Sequence, residues 1–233
     1  MSIAPRERLI VALDVPRAAE ARALVERLGD AACFYKVGLE LFTAGGYFEL
    51  IEWLVARGDK VFADLKLYDI PETVRRATAN VAASGATFLT VHGHRSVMEA
   101  AVSAKGPLRI LAVTVLTSFD ARDLAEMRSQ ATVEELVLAR ARAAAESGCD
   151  GVIASGREVA RLRAEFGERL LVVTPGIRPA GEAAGDQKRA VSVEQALLAG
   201  ADYLVVGRPI RDAADPRAAA LAIQRAIAAV HPA

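Results

Sequence analysis

The stretch Arg57-Gly-Asp-Lys-Val-Phe-Ala-Asp-Leu-Lys66 contains the unit that decides the fold of this chain. A helical segment ends before Gly58, and residues 60–66 then have the length and the apolar content of a β-strand. Glycine suits the left-handed turn that closes a helix. The same junction recurs around Gly85, Gly148 and Gly200. Four junctions of this kind predict alternating helices and strands, the pattern of βαβ units in a parallel sheet.

Eight apolar runs are predicted as strands, at residues 9–14, 33–38, 60–66, 87–92, 109–116, 151–155, 170–174 and 203–207. Helices of about three to four turns fit between them. The runs are too apolar for a half-exposed sheet, so helices are expected to cover the sheet throughout. Eight strands and eight helices in 233 residues predict an α/β fold, a (β/α)8 TIM barrel with a single domain over residues 1–233. A doubly wound open sheet is the alternative, but residues 14–17 lack its Gly-rich dinucleotide loop.

Composition argues against several classes of function. Twenty-nine basic residues balance 29 acidic ones, so no overall field would recruit nucleic acid or an anionic membrane. The apolar runs are strand-sized and the first residues lack a signal-peptide core, so we expect a cytoplasmic protein without a membrane segment. Cys33 and Cys149 lack the spacing of a zinc site or a redox pair, and we expect buried free thiols. No His, Cys and carboxylate cluster has metal-binding spacing, so no metal site is expected.

Polar residues stand at the C-terminal ends of the predicted strands, where barrel enzymes place their chemistry. In chain order they are Asp14, Lys36, Asp64, Lys66, His92, Thr114, Thr117, Arg178 and Arg208. Each one alone has a structural explanation, such as a helix cap, a snorkelling lysine or an ion pair. Burying several ions together costs roughly several kcal/mol each unless their geometry is excellent. A shared functional site therefore explains the whole set better.

Asp64, Lys66 and Asp69 place three charges within six residues. Side chains alternate faces along a strand, so Asp64 and Lys66 are predicted to point the same way, with Cα atoms about 7 Å apart. Asp69 lies beyond the strand in the following loop. Because the charges interrupt an otherwise apolar strand at its C-terminal end, we predict that they act on a ligand.

Two loops indicate where an anionic group would bind. Barrels commonly hold phosphate with the loops after strands seven and eight and the start of a short helix. Gly207 allows a close approach of the backbone, and Arg208 offers a bidentate fork. The polar loop at residues 176–190 has the features of a closing lid. A phosphorylated substrate is therefore predicted. His92 is given no role, because a strand-end histidine is as often a packed neighbour as a catalyst.

The chain resembles the orotidine 5′-phosphate decarboxylase family over essentially its whole length. The most specific element of the resemblance, D-x-K-x-x-D-I-P-x-T, is present as Asp64, Lys66, Asp69, Ile70, Pro71 and Thr73. Supporting matches are Ala12-Leu-Asp14, Tyr35-Lys-Val-Gly38, Val113-Thr-Val-Leu-Thr-Ser118, Thr174-Pro-Gly-Ile-Arg178, Gln187 and Val206-Gly-Arg-Pro209. The chain departs from bacterial relatives after strand four, where it has His92-Gly-His-Arg-Ser96 instead of His-Ala and a Gly-rich turn. The shape of this loop is therefore not predicted.

The resemblance implies decarboxylation of orotidine 5′-monophosphate to uridine 5′-monophosphate in de novo pyrimidine biosynthesis, without a metal or an organic cofactor. It implies that Lys66 donates the proton, that Asp64 faces the departing carboxylate, and that Lys36 and Asp69 complete a nearly neutral network. The implied substrate-binding residues are Asp14 and Lys36 at the ribose, Thr117 near the pyrimidine, Arg178, Gln187, Gly207 and Arg208 at the phosphate and lid, and Ile70 and Thr73. A homodimer is also implied, with Asp69 and Thr73 delivered into the neighbouring subunit's barrel.

Two rival functions stay open at this point. One is a magnesium-dependent sugar-phosphate decarboxylase or aldolase of the same barrel superfamily that shares a D-x-K-x-x-D element. A chelator distinguishes it from a metal-independent enzyme. The other is a noncatalytic phosphate-binding barrel that serves as a sensor or scaffold, which would bind a nucleotide without changing orotidylate absorbance.

Overall fold

The computed structural model describes residues 3–178 and 191–231, and its centre is a closed barrel of eight parallel strands. Each strand pairs with the next along the chain, and the eighth pairs with the first, with Leu9 opposite Leu204. The strands are β1 Leu9–Ala12, β2 Phe34–Gly38, β3 Lys60–Leu67, β4 Phe88–His92, β5 Arg109–Val113, β6 Gly151–Ile153, β7 Leu171–Thr174 and β8 Tyr203–Val206. The predicted (β/α)8 barrel is confirmed.

Helices follow the strands and cover the outside of the barrel. They are α1 Ala18–Leu28, α2 Leu39–Ala44, α3 Tyr47–Ala56, α4 Pro71–Ala83, α5 Arg95–Ser103, α6 Ala121–Glu126, α7 Val133–Glu146, α8 Val159–Phe166, α9 Val193–Leu198, α10 Arg208–Arg211 and α11 Pro216–Val230, with 3-10 turns at Pro5–Glu7 and Gly29–Ala31. Several are shorter than the predicted three to four turns. Between β2 and β3, for example, Gly45 and Gly46 have φ angles of 85° and 72° and divide the helical segment into α2 and α3.

The junctions that predicted the fold have the expected geometry. Gly58, Gly85, Gly148 and Gly200 have φ angles of 82°, 80°, 79° and 102°. Side chains with a Cβ rarely adopt this left-handed backbone, so glycine closes each preceding helix at little conformational cost.

Four strands end earlier than predicted, among them β6 at Ile153 and β8 at Val206. β1 ends at Ala12 and β5 ends at Val113, so Asp14 and Thr117 lie in the loops that follow. The end of β5 was predicted too late because the residues after it are also apolar. Val115 is buried and Leu116 packs against the barrel interior, although neither is in a strand. Burial, and not strand pairing, explains why these two positions are apolar.

Alternation along the strands divides the core into two parts. In β1, Leu9 and Val11 belong to the cluster between sheet and helices, whereas Ile10 and Ala12 belong to the cluster inside the barrel. Four aromatic rings form the bottom of the inner cluster, with centroids of neighbouring rings 5.1–6.0 Å apart. They belong to Phe34, Phe62, Phe88 and Tyr203. Two residues further along β2, β3 and β4 come the buried polar side chains of Lys36, Asp64 and Thr90. A polar layer therefore lies directly above an apolar floor.

The remaining expectations concern thiols and membranes. Cys149 is buried and Cys33 half-buried, and both are free thiols. Burial raises the pKa of the Cys149 thiol to about 12. Among the helices in the described ranges, none is long and apolar enough to cross a membrane.

Candidate active site

A cavity of about 540 Å³ opens at the carboxyl ends of the strands. Eight of the residues that the sequence singled out line it, namely Asp14, Lys36, Asp64, Lys66, Thr117, Arg178, Gly207 and Arg208. They come from the ends of six different strands, which is the arrangement expected of a barrel active site. Residues far apart in the chain therefore line the same cavity.

Four of the lining side chains form a row of alternating charge. Lys36 Nζ lies 2.8 Å from Asp14 Oδ1 and 3.5 Å from Asp64 Oδ2. Lys66 Nζ lies 2.8 Å from the same Asp64 Oδ2. The row contains two ammonium groups and two carboxylates, so its formal charge is zero. Each charge has an opposite neighbour, which is how buried ions are tolerated.

Protonation in the middle of the row follows from these neighbours. Burial alone lowers the pKa of Lys36, but the carboxylates of Asp64 and Asp14 outweigh it, and the pKa lies above the ordinary value of 10.5. Burial alone raises the pKa of Asp64, but Lys36 and Lys66 outweigh it, and the pKa lies below the ordinary value of 3.8. At neutral pH, Lys36 is therefore an ammonium and Asp64 a carboxylate.

Lys66 is the more exposed member of its pair with Asp64. Its side chain is 31% exposed, against 12% for that of Asp64. Lys36 is 11% exposed and lies deeper in the row. Of the two ammonium groups that line the cavity, Lys66 is therefore the more accessible, and a buried carboxylate holds it. Such an arrangement can stabilise a developing anion and transfer a proton.

A glycine makes room for the inner end of the row. A Cβ atom at Gly38 would lie 3.2 Å from Lys36 Nζ and 3.3 Å from Asp14 Oδ1. Both distances are shorter than an ordinary van der Waals contact, so a larger residue would displace the ion pair. The glycine at the end of β2 belongs to the site although it contributes no side chain.

The contact between Asp64 and Lys66 does not arise from the regular alternation that the sequence predicts. Lys66 has a φ angle of 48°, one of two positive values among non-glycine residues in the described ranges. The pairing of β3 with β4 also shifts register between Ala63 and Leu67. A β-bulge therefore turns this end of β3 and brings the two side chains together.

The side of the cavity formed by the loops after β7 and β8 is rich in arginine. Arg208 opens α10, and Arg178 follows β7. Arg211, which was not predicted from the sequence, also lines the cavity and donates from Nη1 to the carbonyl oxygen of Asp14. Residues three apart share a helix face, so the spacing of Arg211 from Arg208 is the signal that was available.

Three predicted site residues do not line the cavity of their own chain. Asp69, Ile70 and Thr73 are exposed on the loop after β3 and the first turn of α4, and the Asp69 carboxylate accepts a hydrogen bond from the Ile70 amide at 2.7 Å. Gln187 lies outside the described residues, as does most of the 176–190 loop. The three exposed residues are instead presented at the rim.

An aromatic cluster that the sequence did not predict joins the loop after β3 to the end of β4 and the loop that follows it. The ring of Tyr68 lies 5.1 Å from that of His92 and 4.9 Å from that of His94, measured between centroids. Burial and the guanidinium of Arg140 lower the pKa of both histidines. In the described part of the chain, no group of three His, Cys, Asp or Glu side chains is placed to hold a metal ion.

Comparison with known proteins places this chain in a family. Residues 7–223 match the family described as "Orotidine 5'-phosphate decarboxylase / HUMPS family". The orotidine 5'-phosphate decarboxylase of Methylococcus capsulatus is 58% identical over 95% of this chain and 92% of its own. The crystal structure of the Lactobacillus acidophilus enzyme of that name has a TM-score of 0.85 at 37% identity, over 95% of this chain and 99% of its own. The chain therefore belongs to the orotidine 5′-phosphate decarboxylase / HUMPS family.

Proposed function

We propose that this protein is an orotidine 5′-phosphate decarboxylase, which converts orotidine 5′-monophosphate to uridine 5′-monophosphate and CO2. The observation that carries the proposal is the row of alternating charge that ends on the accessible ammonium of Lys66. The relatives with this name, of which one is 58% identical, support it.

In the proposed reaction, the bond between C6 of the pyrimidine and its carboxylate breaks. CO2 leaves, and the electron pair stays on C6 in the plane of the ring, where the π system cannot delocalise it. The Lys66 ammonium stabilises this pair and then donates a proton to C6, which gives uridine 5′-monophosphate. Lys66 afterwards regains its proton from solvent. Fixed charges in a site that excludes water are worth most for such a step.

Asp64 contributes by repulsion, but repulsion alone is too small. Two like charges about 4 Å apart at an effective dielectric near 20 repel by about 4 kcal/mol, and this is relieved when the carboxylate becomes neutral CO2. Enzymes that act on very slow reactions supply about 20 kcal/mol or more. Stabilisation of the carbanion by Lys66 must therefore carry the larger part, with Lys36 and Asp69 completing a nearly neutral network.

The remaining lining residues are assigned to substrate binding. Asp14 and Lys36 hold the ribose, and Thr117 lies near the pyrimidine. The phosphate is assigned to Arg178, Gln187, Gly207 and Arg208, of which Gln187 is outside the described residues. Guanidinium groups and a helix start after β8 suit a phosphate dianion. Binding energy from this remote phosphate contributes to the rate at the reacting carbon.

A second copy of the chain is proposed to complete the site. Of the six large apolar side chains that are exposed in the described ranges, four follow β2 or β3, namely Leu39, Phe42, Tyr68 and Ile70. Exposed apolar groups clustered at a rim favour association, because their burial removes apolar area from water. In the proposed homodimer, this rim carries Asp69, Ile70 and Thr73 into the neighbouring barrel.

Mixing two inactive variants tests the shared site. Lys66→Ala and Asp69→Ala homodimers should each be inactive. If each site uses Lys66 of one chain and Asp69 of the other, random exchange of subunits restores about a quarter of the sites, since half the dimers are mixed and each of those has one intact site. Absence of recovery in a mixture shown to contain hybrid dimers would refute the shared site.

The reaction itself is tested by the loss of orotidylate absorbance, with and without a chelator. Turnover that a chelator does not affect is expected. Turnover that a chelator abolishes would favour the magnesium-dependent alternative, and binding of orotidylate without any spectral change would favour a sensor.

Two further inferences accompany this function. Nucleotide synthesis draws on cytoplasmic metabolites, so a cytoplasmic location is inferred, and cell fractionation checks it. Both described ranges contribute to the same barrel. Residues 1–233 are therefore inferred to form one domain, and a single cooperative unfolding transition is expected.

A further inference from the structure

The bulge in β3 places three residues opposite a single residue of β4. Ala63 pairs with Leu89, and the next pair in register is Leu67 with Val91. Residues 64–66 therefore face Thr90 alone. Both Asp64 and Lys66 lie on this bulge, and bulges next to active sites commonly re-aim side chains.

Thr90 bonds to both ends of the bulge with one hydroxyl group. Its Oγ1 donates to Asp64 Oδ1 at 2.8 Å and accepts from the backbone N–H of Lys66 at 3.0 Å. Thr90 is fully buried, and it is absent from the residues that line the cavity. A hydroxyl has one donor and two acceptor positions, so this single group satisfies both contacts at once.

The first contact fixes the rotation of the Asp64 carboxylate. With Oδ1 occupied by Thr90, Oδ2 is the oxygen that faces Lys66 Nζ at 2.8 Å and Lys36 Nζ at 3.5 Å. Removal of the hydroxyl leaves Oδ1 without this donor in a buried environment, where an unmade hydrogen bond is costly. The carboxylate would then turn towards other donors and loosen its hold on the two ammonium groups.

The second contact holds the backbone of Lys66. Its φ angle of 48° lies in a region that residues with a Cβ seldom adopt, and such backbone persists only where the surroundings hold it. An extra residue in a bulge loses its regular partner in the ladder. The Thr90 hydroxyl takes the place of that partner, and the direction of the Lys66 side chain depends on it.

We propose that Thr90 is a positioning residue for the decarboxylation, because its hydroxyl fixes the Asp64 carboxylate and the Lys66 backbone at the same time. This inference rests on the proposed function. Thr90 acts only through these two residues, since it does not reach the cavity itself.

The test compares Thr90→Val, which keeps the shape and removes the hydroxyl, with Thr90→Ser, which keeps the hydroxyl. Misplacement of a reacting group by about 1 Å can cost about 100-fold in rate. We expect Thr90→Val to lower kcat by about 10- to 100-fold with KM changed by less than about threefold, and Thr90→Ser to stay within about threefold of the wild type. The acid limb of the kcat profile should also move to higher pH in Thr90→Val, because the charged form of Asp64 loses a hydrogen bond.

A matched control is Thr78→Val on α4. Thr78 is also fully buried, and its hydroxyl has no hydrogen-bond partner within the described residues. This variant should keep the wild-type kcat. Circular dichroism and thermal unfolding of each variant establish that the fold is retained. Should Thr90→Val not fold, the pair Thr90→Ala and Thr90→Ser replaces it, with serine expected to be at least about tenfold faster.

Three outcomes would overturn the inference: a folded Thr90→Val variant with kcat within about threefold of the wild type, equal losses in the valine and serine variants, or a loss confined to KM. Wild-type turnover is measured first. Its absence would refute the proposed function, whereas wild-type turnover with any of the three outcomes would refute only the role of Thr90.

Discussion

Nζ of Lys66 lies 2.8 Å from Oδ2 of Asp64, and both residues lie on a bulge of the same strand. Both side chains line the cavity, and the ammonium is the more exposed of the two, at 31% against 12% for the carboxylate side chain. A buried anion thus holds an accessible cation in a fixed direction. Preorganised charges of this kind need no rearrangement when charge develops in a transition state, and this is the physical basis of the proposed catalysis.

Replacement of Lys66 by methionine should abolish turnover. The substitution keeps most of the side-chain volume but removes both the cation and the proton donor, and we expect kcat to fall by at least about 10³-fold. Steady-state assays with orotidylate measure the loss. Lys60→Met is the matched control, because Lys60 stands at the other end of β3 and pairs with Glu7. Near-normal turnover by the Lys66 variant would end the catalytic proposal.

Loss of the Arg208 guanidinium should weaken substrate affinity. A hydrogen bond to a charged group is worth about 1.5–3 kcal/mol, so Arg208→Ala should raise KM by about 10- to 150-fold. The nucleoside orotidine, which lacks the phosphate, provides the control, since the wild type and the variant should process it equally slowly. An equal loss with both substrates would show that Arg208 does not act through the phosphate.

Arg211 is expected to affect binding from the same face of α10. Its guanidinium holds the carbonyl oxygen of Asp14 and also pairs with Asp212. Arg211→Ala should therefore loosen the loop after β1 and raise KM by about tenfold, with a smaller effect on kcat. Arg217→Ala on α11, which removes a surface pair with Asp30, is the control and should leave KM unchanged. An unchanged KM in the Arg211 variant would show that Arg211 does not contribute to substrate binding.

Stability should depend on pH through Asp64 at the acid end. Its folded pKa lies below the ordinary 3.8, because Lys36 and Lys66 outweigh the effect of burial. The stabilisation is therefore present above the unfolded pKa of about 3.9 and is lost as pH falls through the lower folded pKa. Urea unfolding should show a constant difference in free energy between wild type and Asp64→Asn from about pH 5 to 9, and a shrinking one below about pH 4. A difference that grows in acid contradicts this.

Stability should also depend on pH through Lys36, in this case in alkaline solution. Its folded pKa lies above the ordinary 10.5, because Asp64 and Asp14 outweigh burial. Its contribution is fully present below the unfolded pKa of about 10.4 and is lost as pH rises through the higher folded pKa. The difference in unfolding free energy between wild type and Lys36→Met should therefore shrink only above about pH 10. A difference that already shrinks near pH 8 would count against the assignment.

His92 and His94 should both be neutral at pH 7. Burial and Arg140 lower the pKa of both imidazoles below the ordinary 6.5. Nuclear magnetic resonance titration, with His92→Asn and His94→Asn to assign the signals, should give midpoints below 6.5 for both. Arg140→Gln should raise both midpoints, since it removes a nearby positive charge. Midpoints above 6.5 in the wild type would contradict this prediction. They would show that a carboxylate raises the pKa of the two imidazoles by more than burial and Arg140 lower it.

Much of the fold was predictable from local patterns. The eight strands lie where apolar runs of strand length indicated, and the four glycine junctions have the left-handed backbone that closes a helix. The charges of Asp64 and Lys66 also marked the site, because no structural reason required them at the end of an apolar strand. Such features are encoded by neighbours within a few residues, so they can be read along the chain.

Other parts of the site depended on contacts between distant segments. Thr90 resembles an ordinary inward-facing strand residue, and only the register between β3 and β4 places its hydroxyl between Asp64 and Lys66. Likewise, only the closed barrel brings Arg211 to the carbonyl oxygen of Asp14, 197 positions away. Periodicity and turn chemistry determined the elements by themselves, because they act locally. Strand register and the bulge were decided by tertiary pairing, because a hydrogen bond across two strands depends on the position of both.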